Sequence, residues 1–347
     1  MTDHGNLFGA IAFADACKEH GVKPILGCEA YVTPHPHKRT SREKTGITDS
    51  GFHLVLLAEN EVGWRNLMAL ASEAYLTGFY HKPRLDRDLL EAHSEGLIAI
   101  SGHLSSELAY HLERFDRTND DQHWQHALEA ARWHARVFAG TAAGPRFYVE
   151  LQEHIAEQAA INPHLIRLAR ELGLPLVCDN DAHFLFAEDH DAHDTLVCIS
   201  TGKVKGDAAR LRYPRELYVK SPREMRDLFR ARYPEVADEA CDNTLRIAHR
   251  CNVRLGSSSH APMVRVDGRR TRWRGRWART GRNGSSGSAR GTRSARSILR
   301  RKPRRTFSTS QRGSATRRCA ICARRGLVWR YAADSTITGA GPREARP

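Results

Sequence analysis

The spacing of apolar residues divides the chain near residue 255. Before that point, short apolar runs alternate with stretches whose apolar residues recur at helical spacing, and after it neither period survives. The runs KPILGCEAYVT (23–33), FHLVLLAE (52–59), GLIAISG (96–102), RFYVELQ (146–152) and LPLVCDN (174–180) predict strands. Each is rich in β-branched or aromatic residues and is bounded by Gly, Pro or polar turns. Helices are predicted over NLFGAIAFADACKEHG (6–21), EVGWRNLMALASEAYL (61–76), a stretch near 121–138, NPHLIRLARELG (162–173) and PEVADEACDNTLRIAHRC (234–251). Gly marks the stop of the first and the fourth. This alternation predicts an α/β domain built on a parallel sheet.

After Gly256 the text turns to RVDGRRTRWRGRWARTGRNGSSGSARG and its like, in which Arg, Gly, Ser and Thr dominate. Such a segment buries too little apolar surface to offset the entropy of ordering it, so 257–347 is expected to be disordered. The text is also what a shifted reading frame of a GC-rich gene would write, and that origin is the expectation preferred over a real basic arm. The pair CAIC at 319–322 has the spacing of half a zinc finger, but no second Cys or His pair follows it, and no metal is expected there.

Charge changes the picture only once it is divided by position. The chain carries a net +14, yet residues 261–347 hold 23 Arg and one Lys against three acidic residues, which leaves 1–260 mildly acidic. A basic overall balance therefore says nothing about the folded part. No run approaches the roughly 18 apolar residues of a membrane span, and the N-terminus lacks the pattern of a signal peptide, so a cytoplasmic protein that does not enter membranes is expected. The eight cysteines are scattered and read as reduced, buried small residues.

Candidate chemistry lies at the strand ends. Phosphoester hydrolysis by divalent metals wants imidazoles and carboxylates converging from several loops at one end of a sheet. His4 stands in the opening TDHG, read as a loop running into the first helix, and Glu29 lies near the end of KPILGCEAYV. His53 heads FHLVLLA, His103 follows GLIAISG, and Asp181 and His183 follow LPLVCDN. The two-residue step from Asp181 to His183 puts both side chains on one side of an extended backbone. Each residue alone has an ordinary reading: a lone strand-end His is usually solvated, Glu29 could be salt-bridged, and Asp181 could cap a helix beginning near Ala187. His81, His93, His111, His123, His126, His134 and His193 are assigned to surface or helix faces.

The blocks TDHGNLFGAIAF, KPILGCEAYV, FHLVLLAENEVGWRNLMALASEAYLTGFYHKPRLD, GLIAISGHLSSEL, LPLVCDNDAHF, HDTLVCISTGK and LYVKSPREMRDLF resemble, in order and spacing, the polymerase-and-histidinol-phosphatase (PHP) domain of bacterial replicative DNA polymerase III alpha subunits. The resemblance covers about residues 2–256, and the tail has no part in it. It implies a distorted (β/α)7 PHP-type barrel whose mouth holds divalent metal, Zn²⁺ or Mn²⁺ with Mg²⁺ as a third candidate. Carried over position by position, it makes His4, Glu29, His53, His103, Asp181 and His183 metal ligands. His103 stands where many polymerase relatives have Cys. It assigns Asp3, Glu29 and Asp181 to catalysis, Asp3 as a positioning group.

Two departures qualify what is implied. Family members open with a strand bearing an H-x-H pair ahead of TDHG, and none precedes Thr2 here, so the expected barrel is incomplete, short of ligands and of little activity. The palm, fingers and clamp-binding regions would follow residue 256, where only the arginine-rich tail stands. The implied function is that of the phosphoesterase domain of a replicative polymerase, with 3′–5′ proofreading hydrolysis and with DNA and other holoenzyme subunits as partners. A free-standing PHP phosphatase acting on a small phosphate ester is one alternative, which the polymerase-type block GFYHKPRLD argues against. The other is a non-catalytic protein gripping nucleic acid through Arg270 to Arg305.

Overall fold

The computed structural model of the protein describes residues 1–256 and two short strands, Arg265–Val266 and Arg269–Arg270, which pair antiparallel with each other. The expectations for the remainder of 257–347, CAIC included, lie outside the described residues. Met1–Leu255 belong to one compact unit. Its elements in order are β1 (Thr2–His4), α1 (Ala10–Glu19), β2 (Gly27–Val32), β3 (Phe52–Ala58), α2 (Glu61–Leu76), β4 (Arg84–Leu85), α3 (Arg87–Ala92), β5 (Leu97–Ile100), α4 (Glu107–Thr118), α5 (Asp121–Val137), β6 (Phe147–Leu151), α6 (Ala156–Leu172), β7 (Leu176–Cys178), α7 (His190–Thr201), α8 (Pro222–Arg232) and α9 (Ala237–Arg250).

Seven strands form one sheet in the order β1-β2-β3-β5-β6-β7, with β4 beside the end of β2. All five expected strands lie in it. The sheet is mixed, however, and not parallel throughout: β3 runs antiparallel to both β2 and β5. The connection from β2 to β3 carries only a 3₁₀ turn at Thr48–Ser50, with no helix to make the crossover that a parallel neighbour needs. A second correction falls at the start of the chain. Thr2–His4, read from sequence as a loop, is a strand paired parallel with Gly27–Glu29, and the first helix begins only at Ala10. Asn6 delays it, because its side chain accepts from Phe8 N and donates to the His4 carbonyl, which holds a turn there.

Strand alternation sorts the sheet into two faces. Cys28, Ala30, Val32, Leu54, Leu56 and Ala99 pack outward against the helices. Ile25, Leu57, Ile98, Ile100, Tyr148 and Val177 pack together on the other face with Ile247 of α9. The sheet curls around this inner cluster far enough that the charge of Asp179, just after β7, acts on the amino group of Met1, just before β1. The result is a mixed, curled α/β sheet whose strand path, among the described residues, is open between β1 and β7.

Local signals explain the helix boundaries. Asn60 caps α2 by accepting from Val62 N and Gly63 N, and Gly63 is required because a Cβ there would lie 1.7 Å from the Gly96 carbonyl. Ser221 and Glu224 form a capping box at α8. One helix defies its signal: α6 begins at Ala156, six residues before the expected start, and runs through Pro163. Buried side chains hold those extra turns, with Asn162 donating to the Gln152 carbonyl and Gln158 donating to Gln152 Oε1. Tertiary hydrogen bonds offset the one that the proline forfeits.

Candidate metal centre

Register places the central residues before any side-chain contact is considered. His4 is the β-partner of Glu29 across β1 and β2, and His53 is the partner of Tyr31 across β2 and β3. Glu29 and Tyr31 are two apart on one strand, so His4, Glu29, Tyr31 and His53 share the inner face. Because β3 is antiparallel, its first residues lie at the same end as the last residues of β2. The loop after β5 then folds back over them, held by the bond from His53 N to the Ser105 carbonyl, and brings in His103. Gly5 turns the chain directly after His4 at φ +64, where a Cβ would meet Pro83 at 2.6 Å.

Three imidazoles, those of His4, His53 and His103, meet on the carboxylate of Glu29, a residue only 5% exposed. His53 Nδ1 lies 2.5 Å and His103 Nε2 2.9 Å from Glu29 Oε1, and these two nitrogens are 3.2 Å apart. His4 Nδ1 is 3.5 Å from Glu29 Oε2. His103 turns Nε2 toward Glu29 as the donor, and its Nδ1 lies 3.2 Å from Ser105 N. Burial alone would raise the Glu29 carboxyl, but the hydrogen bonds from His103 and His53 and the charge of His4 hold it far below its ordinary range. Burial likewise opposes a charged His103, yet the hydrogen bond and charge of Glu29 lift it to about 9. His4, pushed down chiefly by burial, is the most exposed of the three imidazoles.

Asp181 and His183 stand after β7 on the same side. Their charges act on His4, and that of Asp181 acts on His103. His183 Nδ1 donates to the Asp181 carbonyl at 2.7 Å, which leaves Nε2 as the acceptor. Asp181 holds φ +46, a conformation that non-glycine residues seldom adopt and that clusters at functional sites. It does not cap the following helix; Asp189 supplies that carboxylate instead, accepting from Phe186 N. Asp3 faces elsewhere. Alternation along β1 turns it outward, and its carboxylate accepts from Gly9 N at the head of α1.

Residues that sequence reasoning missed continue the inner face. Glu150 of β6 is buried, with Oε1 accepting from Gln152 and Oε2 finding no partner among the protein atoms. Burial, then the charge of Asp179, pushes its carboxyl up to about 8. Asp179 itself is raised to about 6 by burial and by Asp181. The signal was present in the sequence: a Glu inside the apolar run FYVEL, two residues after the inward Tyr148. A buried, imidazole-rich donor set around an ionised carboxylate suits Zn²⁺-like ions, and His4, Glu29 and His53 alone place three ligand atoms within 4.8 Å of one another. The inner face thus runs from an apolar floor to a mouth of imidazoles and carboxylates.

The family model of the PHP domain matches residues 1–154 of the chain, the stretch that carries His4, Glu29, His53 and His103. The likeness to individual proteins reaches further along the chain. DNA polymerase III subunit alpha of Treponema pallidum is 42% identical over 257 residues, 74% of this chain and 20% of that protein. The subunit of the same name from Campylobacter jejuni is 40% identical over 76% of this chain and 21% of its own length, and that of Thermus aquaticus is 42% identical over 74% and 20%. The chain spans about a fifth of the length of these relatives and matches their PHP region. Among the described residues no helix is long and apolar enough to cross a membrane.

Proposed function

We propose that the chain is the PHP portion of a replicative polymerase alpha subunit and that its mouth is a metal-dependent phosphoesterase centre acting on DNA. The convergence of His4, His53 and His103 on the buried Glu29 carboxylate carries this reading. His4, Glu29, His53, His103, Asp181 and His183 would hold the ions. The imidazole-rich set favours Zn²⁺ or Mn²⁺ over Mg²⁺. When bound, such ions activate a water and neutralise charge on a scissile phosphodiester.

The protein's own part is preorganisation. Glu29 stays ionised beneath the imidazoles, and the Asp181 carbonyl fixes the His183 ring with Nε2 free to bind. The raised Glu150 carboxyl offers a proton at the floor of the mouth at neutral pH. Asp3 acts at one remove by steadying the turn that carries His4. The relatives' name supports DNA as substrate and supports cytoplasmic work beside other holoenzyme subunits. Nucleotidyl transfer is not assigned to this stretch. The test is Mn²⁺-dependent release of 3′-terminal nucleotides from single-stranded DNA. Activity lost in both Asp181→Asn and Glu29→Gln supports the proposal, and activity retained in both would overturn it.

A further inference from the structure

Away from the mouth, α4 and α5 form an antiparallel hairpin closed at Asn119, which takes the left-handed conformation (φ 53). Phe115 packs on Trp124 with ring centres 5.4 Å apart and fixes how the two helices face each other. Three half-buried histidines meet on one side of the hairpin. His123 and His126 are three apart on α5 and therefore share a face, and His111 of α4 lies across from them. Their ring centres are 6.0 Å (His111–His123), 5.2 Å (His111–His126) and 6.4 Å (His123–His126) apart. One nitrogen from each lies within 4.8 Å of the other two. Three imidazoles on one tetrahedral ion, bound at about 2.0–2.1 Å, hold their nitrogens about 3.4 Å apart. Modest side-chain rotation closes that difference with no movement of the helices.

Packing alone does not account for the group. His111 Nδ1 and His123 Nδ1 are both buried and find no hydrogen-bond partner among the protein atoms. A buried imidazole nitrogen left unpaired is costly, and two such rings gathered at a helix seam double the cost unless something binds them. The nearby cation Arg87 is neutralised by Glu107, which it contacts at 2.9 Å, and the Arg114 guanidinium lies over the Tyr110 ring. The donors are all nitrogen, a set that suits Zn²⁺, Co²⁺, Ni²⁺ and Cu²⁺ and offers nothing to Mg²⁺ or Ca²⁺.

We propose that His111, His123 and His126 form a second, three-imidazole site for a Zn²⁺-class ion that clasps α4 to α5, independent of the barrel mouth. Among the described residues the cluster offers no fourth protein ligand, so a solvent molecule completes the coordination. The site rests on geometry outside the phosphoesterase mouth and stands or falls apart from that reading.

The test uses Co²⁺ as a spectroscopic probe in the full chain carrying Glu29→Gln and Cys319→Ser, so that neither the mouth nor the CAIC pair competes. One equivalent of Co²⁺ should bind with the visible absorption of a four-coordinate nitrogen site. Adding His123→Gln or His126→Gln should weaken that binding by about tenfold or more with the far-ultraviolet circular dichroism unchanged. Absence of Co²⁺ binding in the starting protein, or binding indifferent to both His123→Gln and His126→Gln, would overturn the proposal. Should the background substitutions unfold the chain, imidazole NMR of the unsubstituted protein decides. Zn²⁺ must shift the ring signals of all three histidines together, and silence there refutes the site.

Discussion

The barrel mouth and the α4–α5 hairpin each gather three histidines, but by different means and with opposite electrostatics. At the mouth the ligands come from positions far apart in sequence, set by strand register: His4 pairs with Glu29 and His53 with Tyr31. In the hairpin two of the three come from a single turn of helix. The mouth has a carboxylate at its centre, and so His103 is lifted to about 9. The hairpin has none, and burial followed by its histidine neighbours pushes His111 down to about 4. An incoming cation must therefore displace a proton from His103 at the mouth and none from His111 in the hairpin. The same side chain is prepared for metal in two ways, by its partner in one place and by desolvation in the other.

The largest effect that separates the two is the removal of the central charge. Glu29→Gln should weaken Mn²⁺ or Zn²⁺ binding at the mouth by more than about 100-fold, because it removes a ligand and the anchor of two others. Hairpin binding should stay unchanged, and calorimetric titration of the two sites checks both halves. The comparison would fail if the two affinities moved together.

Next comes pH. With His103 near 9 and one proton released on binding, mouth affinity should rise about tenfold per pH unit from 7 to 9, whereas hairpin affinity should be flat over that range. The metal-free protein should move the other way. Folded His103 keeps its proton up to about 9 although the unfolded chain loses it near 6.5, so the stability it contributes is complete below 6.5 and lost as pH rises through 9. Glu150, raised from 4.5 to about 8, erodes stability in the same direction over its own window. Urea denaturation of metal-free protein should show a loss of about 1–3 kcal/mol between pH 6.5 and 9; stability constant over that range would refute the Glu29–His103 pairing.

The smallest effect probes the junction of the two regions. Buried Ser106 follows the His103 loop and caps α4 by accepting from Ala109 N at 3.2 Å. Ser106→Ala should cost about 1 kcal/mol of stability and change either metal affinity by only a few-fold. Thermal denaturation with and without Zn²⁺ measures it, and a collapse of either site would mean that the loop and helix act as one unit.

Much of this was legible in the sequence, and what was not has physical reasons. The five apolar runs are all strands of the sheet, because a buried strand advertises itself by composition. The direction of β3 was hidden, since a period of two is the same in either direction. Thr2–His4 was too short to read as a strand, and Pro163 stopped the predicted helix where buried Asn162 and Gln158 let it continue. His4, Glu29, His53 and His103 were read together because ligand types stood at successive strand ends, and the structure brings their side chains together. Asp3 was read as a positioning group beside His4, and strand alternation turns its carboxylate outward onto Gly9 N. Glu150 was passed over as one polar residue in an apolar run, and His111, His123 and His126 were assigned to helix faces one by one. His134, assigned in the same way, is buried, with its ring stacked on Phe147. Single residues could be weighed from the sequence, but their convergence across helices could not.

The central claim is that the inner face of the barrel ends in a metal centre organised by Glu29. Anomalous X-ray scattering at the manganese edge, from crystals of the protein soaked in Mn²⁺, tests it most directly. The account predicts an anomalous peak within bonding distance of Glu29, with His53 or His103 turned from the carboxylate onto the ion. Saturating Mn²⁺ that leaves Glu29 bound to His53 and His103 with no peak between them would contradict it.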